Sequence, residues 1–456
     1  MLNPHIFREY DIRGVADRDL HSGGVEALGR AIGTYVRRRG GVQIALGRDT
    51  RLSSTRLRDA LAAGLCAAGC QVADIGVVPT PVLYYSVFNL KTDGAVMITG
   101  SHNPPEYNGF KVVHGESTIH GGSIQEIRGL IERGDFESGE GAVREIDVTP
   151  AYVDEIASQF DLPRRVRVVC DAGNGTAGPV LHRILERMNV EPVELFFQMD
   201  GRFPNHHPDP TLPETIDTLI GTVRNTGAEL GVAFDGDADR LGAVDENGRI
   251  LWGDMLVLVY AREILSRKPG AAFIGEVKCS QVMYDEIERL GGRAIMYKTG
   301  HSLIKSKMKE TAAELAGEMS GHMFFADRYR GYDDALYAAC RLIEIVSVSG
   351  KPLSAQLEGL PRMVATPEIR VDCPDELKFE VVNRVAAHFR ATHRVIDIDG
   401  VRVLFDGGWG LVRASNTQPV LVTRFEAADE ERLARYRREV EDVLSRVITE
   451  VGAAAR

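Results

Sequence analysis

The feature that most restricts the fold is a pattern that recurs along the chain: hydrophobic strand, helix, then a strand running into a polar loop. It begins at Gln43 with QIALG, passes through a helix from about Ser54 to Gly69 and the strand QVADIGVV, and ends in GAVMIT before a loop at Gly100. A second round runs from Arg165 through VRVVCDAGNG and PVELFF to LGVAFDGDADR. A third passes from MLVLVYAREIL through FIGEV and AIMYKTG to AELAGEMSGH. Alternation of this kind defines an α/β chain, and open α/β sheets place ligands beyond the carboxyl ends of their strands. The loops at Ser101, Asp235 and Glu318 do not resemble one another, so any duplication is architectural. After about Pro361 the pattern shifts to short strands with a helix from Glu376 to Arg390 and a charged closing helix, which reads as a smaller α+β domain. The expected division is 1–146, 147–249 and 250–361 for three similar α/β domains, and 362–456 for the C-terminal α+β domain.

A chain of 456 residues accommodates several domains of about 100–200 residues each. Its formal charge of −11 argues against a nucleic-acid partner, because neutralising a phosphate backbone needs a basic surface. An anionic ligand would need a local cluster of Arg, Lys and His that overrides the global field. The longest apolar stretch, Ile75 to Leu90, is interrupted by Pro79 and Pro81 and falls short of the ~20 residues a bilayer crossing needs. The start, MLNPHIFREYDIRG, lacks a signal-peptide core, and of six cysteines only Cys66 and Cys70 lie close together. Reduced thiols in a cytoplasmic protein are the expectation, with no obligate protein partner evident.

Four motifs carry chemistry. In Thr99-Gly-Ser-His-Asn-Pro-Pro105 a serine stands exposed on a loop after a buried strand; Gly100 permits close backbone approach, and Pro104 and Pro105 restrict the loop. The same residues also suit an ordinary turn. A hydrolase triad is not expected, because adjacent Ser101 and His102 side chains should diverge and no GxSxG elbow is present. In Phe234-Asp-Gly-Asp-Ala-Asp-Arg240, alternate side chains fall on one side, so Asp235, Asp237 and Asp239 converge on one hard cation or else form an acidic surface turn. Arg240 replaces the glycine an EF-hand requires, and Mg2+, which keeps open positions for phosphoryl oxygens, fits better. Gly317-Glu-Met-Ser-Gly-His322 offers a carboxylate and a hydroxyl at i and i+2 for paired sugar hydroxyls, or a buried network for Glu318 and His322. Arg413-Ala-Ser-Asn-Thr417 offers a guanidinium fork with hydroxyl and amide donors for a phosphate, or a hairpin. Arg13, Lys111, Lys278, Lys298 and His301 fall near strand ends and could supply the local positive field.

The segments FREYDIRG, GRDTRLSS, TGSHNPPEYNG, DGDADR, KTGHSLIK, GEMSGH and RASNTQP, in this order, resemble the α-D-phosphohexomutase superfamily, and most closely its bacterial bifunctional phosphomannomutase/phosphoglucomutase branch. The resemblance covers residues 7 to 419. It implies mixed sheets in three related α/β domains and a fourth α+β domain around a central cleft. It also implies a phosphoserine at Ser101, one Mg2+ per chain held by Asp235, Asp237, Asp239 and Ser101, and glucose 1,6-bisphosphate as activator. Glu318 and Ser320 would bind sugar hydroxyls, while Arg413, Ser415, Asn416 and Thr417 would grip the non-reacting phosphate. Tyr10, Lys278 and His322 would join the substrate site, and Arg13, His102, Lys111, Arg240 and His301 the catalytic one. The general acid/base stays open among Lys111, Arg13 and His301. Ala238 departs from the glycine common in this branch and is expected to exclude a glycine-type positive φ.

The implied reaction moves a phosphoryl group between O1 and O6 of mannose or glucose through a 1,6-bisphosphate. Two rivals stand beside it: an aspartyl phosphatase using the Asp235 and Asp237 pair, and a silent sugar-phosphate sensor.

Overall fold

The computed structural model describes residues 2–416 and 418–454. The strands assort into four sheets. In the first, Ile12–Val15, Tyr107–His114, Gly94–Ile98, Gln43–Arg48, Gln71–Val77 and Val143–Glu145 lie side by side in that order, with Ser117–Thr118 added to Tyr107–His114. The second runs Ile250–Leu251, Leu241–Asp245, Leu230–Phe234, Val166–Asp171, Val190–Leu195. The third runs Arg293–Tyr297, Ala272–Glu276, Leu315–Gly317, Met323–Phe325. All three are mixed. Their inner strands Gly94–Ile98, Leu230–Phe234 and Ala272–Glu276 are buried at every position, as expected where helices cover both faces of a parallel segment.

The three units share one topological device. Gly94–Ile98 pairs parallel with Gln43–Arg48 and antiparallel with Tyr107–His114. Leu230–Phe234 pairs parallel with Val166–Asp171 and antiparallel with Leu241–Asp245. Leu315–Gly317 pairs parallel with Ala272–Glu276 and antiparallel with Met323–Phe325. The loops bearing Ser101, the three aspartates and Glu318 are thus the same connection in three sheets, each at the carboxyl end of a parallel strand. The second sheet also reaches Leu251, past the expected division at residue 249, because the short edge strand Ile250–Leu251 pairs back on Leu241–Asp245.

The fourth sheet is antiparallel throughout, built from Val364–Ala365, Ile369–Asp372, Arg394–Ile396, Val401–Phe405, Gly408–Ala414 and Val420–Ala427, and packs on the helices Lys378–Arg390 and Glu430–Ala454. One buried cluster runs through the first three units, from Leu83 through Tyr152 and Val168 to Tyr260 and Tyr337. The fourth unit has its own, around Val401, Phe425 and Val440. Among the described residues no helix is long and apolar enough to cross a membrane.

Candidate active site

Ser101 lies at the seam between the first and second units. It is only 2% exposed, which corrects the expectation of an exposed loop hydroxyl: the aspartate loop of the second unit closes over it. Its Oγ donates to Asp235 Oδ2 at 2.7 Å and lies 3.1 Å from His102 Nδ1. The expected divergence of Ser101 and His102 is therefore also corrected. Ser101 adopts φ +50°, and this left-handed kink, braced by a bond from its N–H to Thr99 Oγ1 at 2.8 Å, accompanies the approach of the neighbouring side chains. Burial, then the charges of Arg240 and Arg13, hold His102 well below the usual imidazole range, so its ring is neutral.

Asp235, Asp237 and Asp239 are all fully buried, and their ligand oxygens lie within 4.8 Å of one another. They converge because the segment turns. Ala238 N–H donates to the Asp235 carbonyl at 3.1 Å, and Ala238 sits at φ +59°, a positive φ that other non-glycine residues of the chain also adopt and not one reserved to glycine. The left-handed basin costs a non-glycine residue only about 1–2 kcal/mol, and here that turn bond and one from Ala335 N–H hold it. Thr80 of the first unit braces the loop, donating its N–H to the Asp237 carbonyl at 2.8 Å and its hydroxyl to Asp237 Oδ2 at 2.5 Å.

Lys111, within the strand Tyr107–His114, donates to Asp237 Oδ2 at 2.7 Å and to Asp239 Oδ2. Burial lowers its pKa, but Asp237 and Asp239 more than offset that and raise it well above the usual range. Burial and the neighbouring Asp239 and Asp237 carboxylates raise Asp235. Burial likewise raises Asp237, but Lys111 outweighs it and the group falls below its ordinary range. One ammonium does not balance three carboxylates, and Asp237 Oδ1 and Asp239 Oδ1 are buried without a hydrogen-bond partner. Closely spaced, hydrogen-bond-starved carboxylate oxygens fit a hard divalent cation.

Beyond Asp239 the site continues into the third unit. Arg240 Nε donates to His322 Nε2 at 3.1 Å, and His322 Nδ1 lies 3.4 Å from Asp333 Oδ2. His301 stacks on His322 with ring centres 5.8 Å apart. Burial first, and Lys305 next, push His301 well below the usual imidazole range. Arg13 donates to Asn103 Oδ1 at 2.9 Å and pairs with Asp11 at 2.6 Å, which places it on the serine loop.

A second group sits where the third and fourth units meet. Glu318 Oε1 accepts the Gly300 N–H at 2.7 Å, and burial raises its pKa. Ser320 is half-buried on the same loop. Lys278 Nζ reaches Glu368 Oε1 of the fourth unit at 3.0 Å, and Arg413 Nε donates to Asp399 Oδ2 at 3.0 Å. Asn416 donates to the Tyr10 hydroxyl at 2.6 Å, which itself donates to the Thr299 carbonyl at 2.9 Å, so three units meet there. Ser415 Oγ accepts from Gln418 N–H at 3.1 Å. Thr417 lies outside the described residues.

The sequence reading missed Asp49, Arg51, Thr80, Lys305 and Asp333, which hold these groups in place. Of these, Asp49 and Arg51, inside GRDTRLSS, and Lys305, inside KTGHSLIK, lay in segments that carried a signal.

A serine held against a buried carboxylate group suited to a cation, with cationic side chains nearby, has the parts that a phosphoryl-transfer centre needs. Residues 4–138, 150–248, 252–363 and 368–443 match, in order, the alpha/beta/alpha domains I, II and III and the C-terminal domain of phosphoglucomutase/phosphomannomutase. A phosphomannomutase/phosphoglucomutase of Pseudomonas aeruginosa is 46% identical over 433 residues, covering 95% of this chain and 94% of that protein. A phosphoglucomutase of Neisseria gonorrhoeae is 44% identical, covering 96% of each. The crystal structure of a phosphoglucomutase/phosphomannomutase family protein from Burkholderia thailandensis superposes with a TM-score of 0.91 at 42% identity, covering 99% of this chain and 98% of that one. The chain belongs to the phosphoglucomutase/phosphomannomutase family and is an enzyme of the phosphohexomutase class.

Proposed function

We propose that this enzyme interconverts the 1-phosphates and 6-phosphates of glucose and mannose, with Ser101 as phosphoryl carrier. The observation that carries the reading is the buried contact of Ser101 Oγ with Asp235 inside the three-carboxylate group. In the first half-reaction the free hydroxyl of a hexose monophosphate attacks the phosphorus on Ser101. The new O–P bond forms as the Ser101 Oγ–P bond breaks, the attacking hydroxyl loses its proton to a base, and the leaving Oγ takes up a proton. Asp235 then accepts the hydrogen bond of the restored serine hydroxyl. The resulting 1,6-bisphosphate turns end for end and returns its other phosphoryl group to Ser101. Mg2+ on Asp235, Asp237 and Asp239, with Ser101 beside them, would neutralise charge on the transferred group.

Of the three candidate bases, Lys111 is committed to two carboxylates and Arg13 carries a permanently charged guanidinium. His301 remains: its ring is neutral and its Nδ1 has no hydrogen-bond partner. His102, Arg240 and His322 line the same centre. Arg413, Ser415, Asn416 and Thr417 grip the non-reacting phosphate in either orientation, with Tyr10 and Lys278 closing around it. Glucose 1,6-bisphosphate rephosphorylates Ser101 when the intermediate escapes. The phosphatase alternative is disfavoured, because Asp235 Oδ2 is engaged by Ser101 and Oδ1 by the N–H groups of Asp239 and Arg240.

We also take the chain to work in the cytoplasm without nucleic acid, membrane or an obligate protein partner. Its six free cysteines and its acidic charge support this. We also divide the chain near residues 146, 249 and 361, a reading supported by the grouping of strands into four sheets, with the edge strand Ile250–Leu251 falling with the second.

Glu318 and Ser320 read two adjacent hydroxyls, O3 and O4, which glucose and mannose share. kcat/KM for glucose and mannose 1-phosphates is expected to agree within about 10-fold, whereas galactose 1-phosphate, inverted at C4, should fall by ~10² or more. Good use of galactose 1-phosphate would overturn the hydroxyl assignment. Intact-mass measurement with peptide mapping should find phosphate on Ser101; phosphate on Asp235, or none after incubation with the bisphosphate, would overturn the carrier role.

A further inference from the structure

Arg51 is the least expected cation in the molecule. Its side chain is fully buried, in the loop of the first unit between the strand Gln43–Arg48 and the helix Ser54–Ala67. The guanidinium donates to the carbonyls of Ser101 at 2.8 Å, Asn103 at 2.5 Å, Pro104 at 2.5 Å and Tyr107 at 3.0 Å. Its Nε pairs with Asp49 Oδ2 at 3.1 Å, and that same oxygen accepts the Gly100 N–H at 3.0 Å. Asp49 is held in turn: its Oδ1 accepts the Ser54 hydroxyl at 2.6 Å and the Arg51 N–H at 3.0 Å. The ring of Phe203, from the second unit, covers the guanidinium at 5.2 Å. A Cβ on Gly100 would meet the guanidinium at 2.4 Å, which explains why residue 100 is glycine although its φ is not positive.

We infer that Arg51 is a positioning residue for phosphoryl transfer: it pins the Ser101 loop through four of its carbonyls and fixes the point in space from which Ser101 donates and receives. The physical case rests on hydrogen-bond supply. A loop between an inner strand and its antiparallel neighbour has carbonyls that no ladder partner satisfies, and where such an acceptor is buried, as at Ser101, leaving it unmet costs about 1–3 kcal/mol. A planar fork with five donors meets several at once, whereas a lysine ammonium offers three donors from one point. The loop is consequently held at both its strained residue, Ser101 at φ +50°, and its far end at Tyr107. A donor oxygen shared by two transfers in opposite orientations must not wander, since a displacement of about 1 Å can cost ~10² in rate.

The inference rests on Ser101 being the phosphoryl carrier, and its test separates the two. Arg51→Lys is compared with wild type for circular dichroism, thermal midpoint, kcat, KM, amide exchange at residues 100–107, and the rate at which glucose 1,6-bisphosphate phosphorylates Ser101, read by intact mass. The expected result is a native spectrum and faster exchange confined to the loop. kcat and the phosphorylation rate should both fall about 10- to 100-fold, with KM within about 3-fold of wild type. Unchanged kcat, or a loss carried wholly by KM, overturns the positioning role. Wild-type protein that takes no phosphate on Ser101, together with a loosened loop in Arg51→Lys, overturns the carrier instead. Should Arg51→Lys fail to fold, Gly100→Ala displaces the same guanidinium with the arginine retained, and wild-type turnover in that variant also overturns the role.

Discussion

The first three units and the fourth are built on opposite terms. The three α/β units share a single apolar cluster from Leu83 to Tyr337, and every pair of neighbours exchanges hydrogen bonds through the site loops, such as Thr80 with Asp237 and Arg240 with His322. The fourth unit keeps a separate core and meets the third across a small patch of Val277, Trp409 and Leu411. Around that patch the contacts are polar. Arg402 donates to the carbonyls of Val277 at 2.8 Å and Cys279 at 2.9 Å, Arg424 donates to that of Lys278, and Gln281 N–H donates to Glu426 Oε1 at 3.0 Å. A shared apolar core fixes relative positions tightly, while a small seam of hydrogen bonds lets a unit open or move at lower free energy. On the proposed roles, the chemistry would belong to the part with the shared core and the phosphate grip to the part with its own.

The sharpest way to break this division is Ser101→Ala, which should leave less than about 10⁻³ of wild-type turnover, because the carrier oxygen is gone. The thermal midpoint should move by only a few degrees, and substantial activity would end the covalent mechanism. Trp409→Ala comes next. Trp409 is 1% exposed, beneath Arg402 at 3.8 Å, and its removal should destabilise the fourth unit by about 3–5 kcal/mol. Hydrogen exchange should rise across residues 368–443 while residues 94–114 stay protected; a uniform rise would show that the four units unfold as one. Asp237→Asn should lower kcat by ~10² and shift the Mg2+ titration to higher concentration. An unchanged titration would remove Asp237 from the metal site. Arg413→Ala should weaken both 1-phosphate and 6-phosphate substrates several-fold to ~10²-fold while Ser101 still accepts phosphate from the bisphosphate. A defect in one direction only would contradict a single grip in the fourth unit.

Much of this was legible because it is local. The DGDADR segment announces its own carboxylate cluster, and hydrophobic runs ending in polar loops announce the sheet edges. What stayed hidden depends on contacts between residues far apart in the chain. Ser101 is buried with a loop 134 residues away packed on it, and nothing in TGSHNPP reports that contact. Arg51 looks like a solvated turn residue until the loop 50 residues downstream folds onto it. The repeat itself showed in the recurring strand and helix pattern, but the equivalence of the three loops did not, because loops in one structural position carry unrelated chemistry and their sequences share nothing to align. Ala238 shows the limit of residue preference, since a turn bond of 3.1 Å and a neighbouring helix hold alanine in a conformation it disfavours alone.

The equivalence of the three loops has a kinematic consequence. Each is anchored at both ends to adjacent strands of its own sheet, so none is free to swing as a flap. On the proposed roles, the carrier serine, the acidic group and the hydroxyl reader would form a stator between the two transfers, and the rotor would be the sugar bisphosphate itself. Turnover then depends on a race between rotation and escape within one enclosure. If any part of the chain yields to let the bisphosphate turn, the fourth unit, with its own core and a small apolar seam, is the part expected to do so.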